Sequence, residues 1–176
     1  MPASTPTSPR PPRVVPLDPA EERAWRAVAR AMIVLPRVLE SELEAEHRLT
    51  MAEYVVLVNL SEEPEQALRM TDLADRAALS LSGMTRVVDR LVRQGLVERT
   101  KCPSDARGSY ARLTDGGLAK LREAYVTHLR GVREHVMDHL RGVDLAEFAE
   151  CMERITGRCP AGADADAAPE VRRALL

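Results

Sequence analysis

The chain has 176 residues and a formal net charge of −2, with 45% hydrophobic and 30% charged residues but only 3% aromatic. That length supports one substantial core, and with so few aromatics the core must be filled by aliphatic packing of Leu, Val, Ala and Met. No stretch approaches the roughly 18 apolar residues that a membrane crossing needs, and the first segment lacks the apolar centre of a signal peptide. Cys102, Cys151 and Cys159 stand at no metal-ligand spacing, so a reducing compartment is expected and the protein is read as cytoplasmic, without a membrane partner. Lys101 and Lys120 are the only lysines among 25 basic residues, a usage that fits a GC-rich bacterial genome.

Residues 1–17 hold six prolines amid Ser and Thr and are expected to form a disordered tail. Asp18 to Arg48 reads as a long helix with Trp25, Val28, Met32, Leu35, Leu39 and Leu43 on one stripe and a kink at Pro36. Thr50 and Glu53 form a capping-box pattern for a second helix that ends near Ser61. A short helix signal follows Met70, and then a helix begins after Ser80 as N-cap and stops at Gly95. Its back is Met84, Val87, Val88, Leu91 and Val92; its front is Ser82, Thr85, Arg86, Asp89, Arg90 and Arg93. Leu96 to Thr100 and Ser109 to Thr114 read as a hairpin around KCPSDARG. Asp115 to Arg141 reads as another long helix, and Asp144 caps a last one carrying Leu145, Phe148, Met152 and Ile155. A domain spanning 18–156 is therefore expected, followed by a flexible tail at 157–176.

Helix, arginine-fronted helix and basic hairpin in this order fit nucleic acid. A helix with an apolar back seats a polar front in the major groove while the hairpin reaches the adjacent groove. Ser80, Ser82, Thr85 and Arg86 near the helix start are placed for base edges, and further along, beyond Asp89, Arg90 and Arg93 are better placed for phosphates. From Ser80 to Arg112 seven basic residues, Arg99 and Lys101 among them, face three acidic ones, a local excess of four in an acidic chain.

Residues 47–117 carry HRLTMAEYVVLVNL, then MTDLADRAALSLSGMTRVVDRLVRQGLVERTKCPSDARGSYARLTDGG, and this run resembles the multiple-antibiotic-resistance regulator (MarR) family. The resemblance covers about residues 18 to 156. It implies a mainly α fold with a small β-wing, a winged helix-turn-helix flanked by long dimerisation helices. It further implies a homodimer that sets two recognition helices into successive major grooves of a palindromic double-stranded DNA operator. By motif position, Arg107 is then the wing-tip arginine and Asp105 orients the loop.

The outer helices show apolar stripes that call for a partner, through self-association or by packing on each other within a monomer. The family's cleft between dimer helices and winged module implies a small anionic or aromatic effector, with Leu39, His47, Tyr54, Val58 and Tyr125 as candidate lining residues. His128, His135 and His139 share an arc of about 40° on an ideal helix and are weak metal candidates; no cofactor is expected. Cys102 beside Lys101 sits where a thiolate is favoured, although lone loop cysteines are usually incidental. No phosphate loop, nucleophile elbow or zinc-protease motif is present, which argues against an enzyme. The expected function is an effector-responsive repressor; the alternative is a winged-helix protein-interaction module without specific DNA binding.

Overall fold

The computed structural model describes residues 15–102 and 105–157, with side chains at 15–100 and 109–157. The tails expected at 1–17 and 157–176 thus fall almost wholly outside the described residues. The chain divides into two units, one ending at Val34 and the other starting at Leu35.

In the first unit, helix α1 (Pro19–His47) starts from a cap formed by Asp18. The Asp18 carboxylate accepts from the amides of Ala20 and Glu21 at 2.7 and 2.8 Å, and Glu21 accepts from the Asp18 amide at 2.8 Å. That reciprocal arrangement satisfies amides that a helix start leaves without partners. Trp25, Met32 and Ile33 are each more than half exposed, so this stretch covers little of its own apolar surface.

The second unit holds the core. The last turns of α1 contribute Leu43, which is fully buried, and Pro36 sits inside the helix without ending it. Helix α2 (Met51–Ser61) opens with the predicted capping box, in which Thr50 Oγ1 accepts from the Glu53 amide at 3.3 Å and Glu53 Oε2 accepts from the Thr50 amide at 2.9 Å. Because Val56, Leu57 and Leu60 are all fully buried, α2 is the central packing helix rather than a surface one.

Strand β1 (Ala67–Arg69) leads directly into α3 (Met70–Arg76), and a turn brings in α4 (Leu81–Arg93). Strands β2 (Val97–Cys102) and β3 (Asp105–Leu113) form the hairpin, and β3 lies between β1 and β2 in an antiparallel sheet. Helix α5 (Asp115–His135) follows, then a single 3₁₀ turn at Met137–Leu140, then α6 (Leu145–Thr156), capped by Asp144 and closed by Gly157 at φ 68. Leu73, Met84, Val88, Leu91 and Leu121 are fully buried against α2 and the sheet. Burial of each such side chain contributes about 1.5–3 kcal/mol.

Four details depart from the sequence reading. Strand β1 was not anticipated. It pairs Leu68 with Ala111, and the chain before it is tied to β3 by the Leu113 amide donating to Gln66 O at 2.8 Å. The hairpin strands extend further toward the loop than expected. Val92, assigned to the apolar back of α4, lies at its edge and is 37% exposed. Finally, α5 does not continue to Arg141: Val136, at φ −130 and ψ −66, leaves the helical region. An apolar repeat at Val132, Val136 and Leu140 persists across that break, so periodicity alone gave no warning.

Candidate nucleic-acid interface

Helix α4 presents its polar front as predicted, but its side chains divide into those committed to the protein and those left open. Ser80 Oγ accepts from the Gly83 amide at 3.1 Å and lies 3.2 Å from Ser82 Oγ, so the first serine acts chiefly as a cap. The Thr85 hydroxyl donates to Leu81 O at 2.9 Å. Asp89 pairs with Arg99 at 2.9 Å, and Arg99 also donates to Thr85 O at 3.4 Å. The carboxylate at position 89 therefore fixes β2 against α4, and its pairing offsets the repulsion that a free carboxylate would exert on phosphate.

Arg90 was expected to face phosphates. Its Nε instead lies 3.2 Å from Glu53 Oε1, a carboxylate whose side chain is only 3% exposed. Glu53 thus completes the cap of α2 and holds α4 at the same time, a role that sequence reasoning did not assign. Glu53→Ala is expected to cost about 2 kcal/mol, combining a lost cap with a lost charge-assisted bond. Glu53→Gln keeps the cap and should recover about half of that in urea unfolding. Equal losses in the two variants would show that the cap adds nothing.

Arg86 and Arg93 are exposed and form no ion pair with the described residues. Seven positions apart, they fall on one face of the helix. Arg112 is tied elsewhere, donating to Glu65 O at 2.8 Å and lying near the carboxylates of Glu65 and Glu98. Arg69 Nε donates to Tyr110 Oη at 3.1 Å, and its guanidinium stands 5.6 Å from that ring's centroid, which clamps β1 to β3. The side chains of Lys101, Asp105 and Arg107, and that of Cys102, lie outside the described residues. For that segment the backbone gives only the register, Lys101 opposite Ser109 and Cys102 opposite Asp105, with an irregularity between.

A cavity of about 270 Å³ opens between α2 and α5, lined by Tyr54, Val55, Val58, Tyr125, His128, Leu129 and Val132. The rings of Tyr54 and His128 meet at 4.6 Å and 41°. Three of the five expected lining residues are there; Leu39 and His47 are not. Leu39 packs against α5 beside Gly131. His47 Nε2 is 2.8 Å from Thr127 Oγ1, whose hydroxyl donates to Glu46 Oε2 at 2.8 Å. With that hydroxyl proton used, Nε2 must be the donor, which commits His47 to the α1–α5 contact.

The three histidines do not gather. His128 stacks on Tyr54, His135 Nε2 lies 2.7 Å from Glu42 Oε1, and His139 falls in the 3₁₀ turn. The shared arc assumed an unbroken helix, and the break at Val136 removes that premise. Among the described residues no three potential ligands come together.

Glu46 also pairs with Arg130. The Thr127 hydrogen bond, with Arg130 and His47 in support, holds the Glu46 carboxyl below its ordinary 4.5 against the opposing effect of burial. A lowered folded value means that the stabilisation is present above the ordinary pKa and is lost as pH falls through the folded one. Melting temperature should therefore drop more steeply below pH 4.5 in the native chain than in Glu46→Gln. Parallel acid limbs in the two would exclude this contribution.

The sequence profile of the MarR family matches residues 49–109. The structure of Sco3205, a MarR family transcriptional regulator from Streptomyces coelicolor solved in complex with DNA, superposes with a TM-score of 0.79 at 34% identity, covering 87% of this chain and 96% of that one. PcaV, a transcriptional regulator from the same organism solved with its natural ligand, gives 0.62 at 29% identity over 82% of this chain and 98% of its own. The HTH-type transcriptional regulator MhqR of Bacillus subtilis is 29% identical over 51% of this chain, a match that spans 61% of MhqR.

Proposed function

The chain belongs to the MarR family, and from that premise we propose that it is a sequence-specific DNA-binding transcription regulator, acting as a homodimer on a palindromic operator and released by a small effector. It is a regulator and not an enzyme, as its relatives are. The observation that carries the reading is the pair Arg86 and Arg93, open to solvent on a helix whose other arginine is tied to the core and whose flank abuts a three-stranded wing. Ser82 and Thr85 stand beside Arg86, and the wing's Lys101 and Arg107 would extend the contact to the next groove, with Asp105 orienting the loop.

Self-association is supported by the apolar surface that the outer helices leave uncovered: Trp25, Met32 and Ile33 in the first unit, Leu145, Phe148 and Ile155 in the second. Two modules reading half-sites about one turn apart also supply the base contacts that one small module lacks. The Tyr54, Val58 and Tyr125 cavity, widened to include His128, would take the effector, and its aromatic and phenolic walls favour a small aromatic acid or phenol. Among the described residues no helix is long and apolar enough to cross a membrane. A cytoplasmic location is part of the proposal, since a regulator of this kind works where the DNA is. The domain reading keeps residues 18–156 as the working module.

Selection by the full chain from a randomised duplex pool tests the proposal. The expected result is an enriched palindrome whose binding weakens steeply with salt. Uniform, weak binding to every duplex would instead favour a protein-interaction role.

A further inference from the structure

Resting on the DNA-binding reading above, one residue outside the arginine set stands out. Leu81, the first residue of α4, is 52% exposed, although Val88, seven residues on along the same line of the helix, is fully buried. A helical side chain leans toward the N-terminus, so from the first position Leu81 projects past the end of the rod that leads into the groove.

Its neighbours have lost much of their polar character. Ser80 Oγ is engaged in the cap and with Ser82. Four residues on, the Thr85 hydroxyl donates back to Leu81 O at 2.9 Å, which spends its proton on the helix and leaves the methyl as the remaining group of a side chain one turn from Leu81. On the other side, Asp89 and Arg99 pair with each other. The flank of the recognition helix nearest the hairpin is therefore apolar at its leading edge, while Arg86 keeps the polar face. In the major groove the one apolar feature of a base-pair edge is the thymine 5-methyl group.

We infer that Leu81, backed by the Thr85 methyl, reads a thymine methyl in each half-site and is a specificity-determining residue distinct from Arg86. A leucine left in water at that position has its explanation in the complex, where the methyl contact removes both apolar surfaces from solvent.

The test uses a duplex enriched by the full chain, with each thymine replaced singly by deoxyuridine, which lacks only the methyl. One position per half-site should weaken native binding about fourfold, the effect of one buried methyl-sized group. In Leu81→Ala the same replacement should have no effect, because the partner surface is gone. The position is exposed, so the variant keeps its fold, which circular dichroism checks. If no uracil matters, or if uracil costs the variant as much as the native chain, the inference falls while the DNA-binding reading stands. If no duplex is enriched at all, both fall together.

Discussion

Replacing Arg86 and Arg93 together by alanine is expected to weaken binding to the enriched duplex by about a hundredfold while leaving thermal stability unchanged. The two side chains are exposed and unpaired among the described residues, so their removal strands no buried partner. Arg86, in the second turn, can donate two parallel bonds to guanine O6 and N7, a contact worth about 1–3 kcal/mol of discrimination. Arg93 lies seven residues on, roughly 10 Å along the axis, where the helix leaves the groove and phosphates come within reach. The single variants should separate these roles. Arg86→Ala relaxes sequence preference, whereas Arg93→Ala weakens all duplexes alike and reduces the salt slope by about one. Arg90→Ala serves as the contrast, because it strands the buried Glu53 and should lower stability as well as binding. Native affinity in the double variant would remove the observation on which the proposed function rests.

What the sequence disclosed is what local chemistry decides. The capping box at Thr50 and Glu53, the Ser80 cap and the left-handed Gly95 at φ 72 depend on residues within one turn, and the structure places all of them as read. The order of helices and hairpin followed from those signals and from the 3.6-residue repeat of Met84, Val88 and Leu91, whereas the winged helix-turn-helix came from the family resemblance. Partnerships across the fold were not legible. Strand β1 is three residues long, too short to alternate, and exists because β3 offers it an edge. The fate of Arg90 depended on Glu53, 37 positions earlier, reaching the same spot. His128 looked like a member of a histidine arc until the break at Val136 and the stacking on Tyr54 gave it to the cavity. His47 left the cavity for Thr127 on equally non-local grounds. Charge counting had the same limit: it gave the right sign for the hairpin region but could not see that Arg99 and Arg112 are held by acidic neighbours.

The adjacent glycines that open α5 should respond oppositely to the same substitution. Both lie in the first turn after the Thr114 cap, whose Oγ1 accepts from the Gly117 amide at 3.0 Å and donates to Gly95 O at 2.8 Å. A Cβ on Gly116, which is exposed, would stand 3.7 Å from Thr114 Oγ1 and 3.8 Å from Gly95 O, both ordinary contacts. Gly116→Ala should therefore stabilise by about 0.5 kcal/mol, because alanine has less backbone freedom to lose on folding. Gly117 is buried, and a Cβ there would run into Leu96 O, with Leu113 Cδ1 at 2.7 Å and Leu96 C at 3.0 Å. The obstacle is backbone. Leu96 cannot yield by a rotamer change, because its amide is bonded to Leu91 O at 3.0 Å and its carbonyl accepts from the Thr114 amide at 3.1 Å. Relief would require α5 to back away from the junction of α4 and β2, opening the packing around Leu113 and Leu121. Gly117→Ala is therefore expected to cost about 3 kcal/mol, the upper end of overpacking penalties, read as a lower urea midpoint at unchanged slope. Since that junction sets where the first strand of the wing leaves the recognition helix, operator affinity should fall with it even at temperatures where the variant is folded. If Gly117→Ala unfolded at the native midpoint, the close approach of α5 to Leu96 would not be a feature of the folded protein in solution.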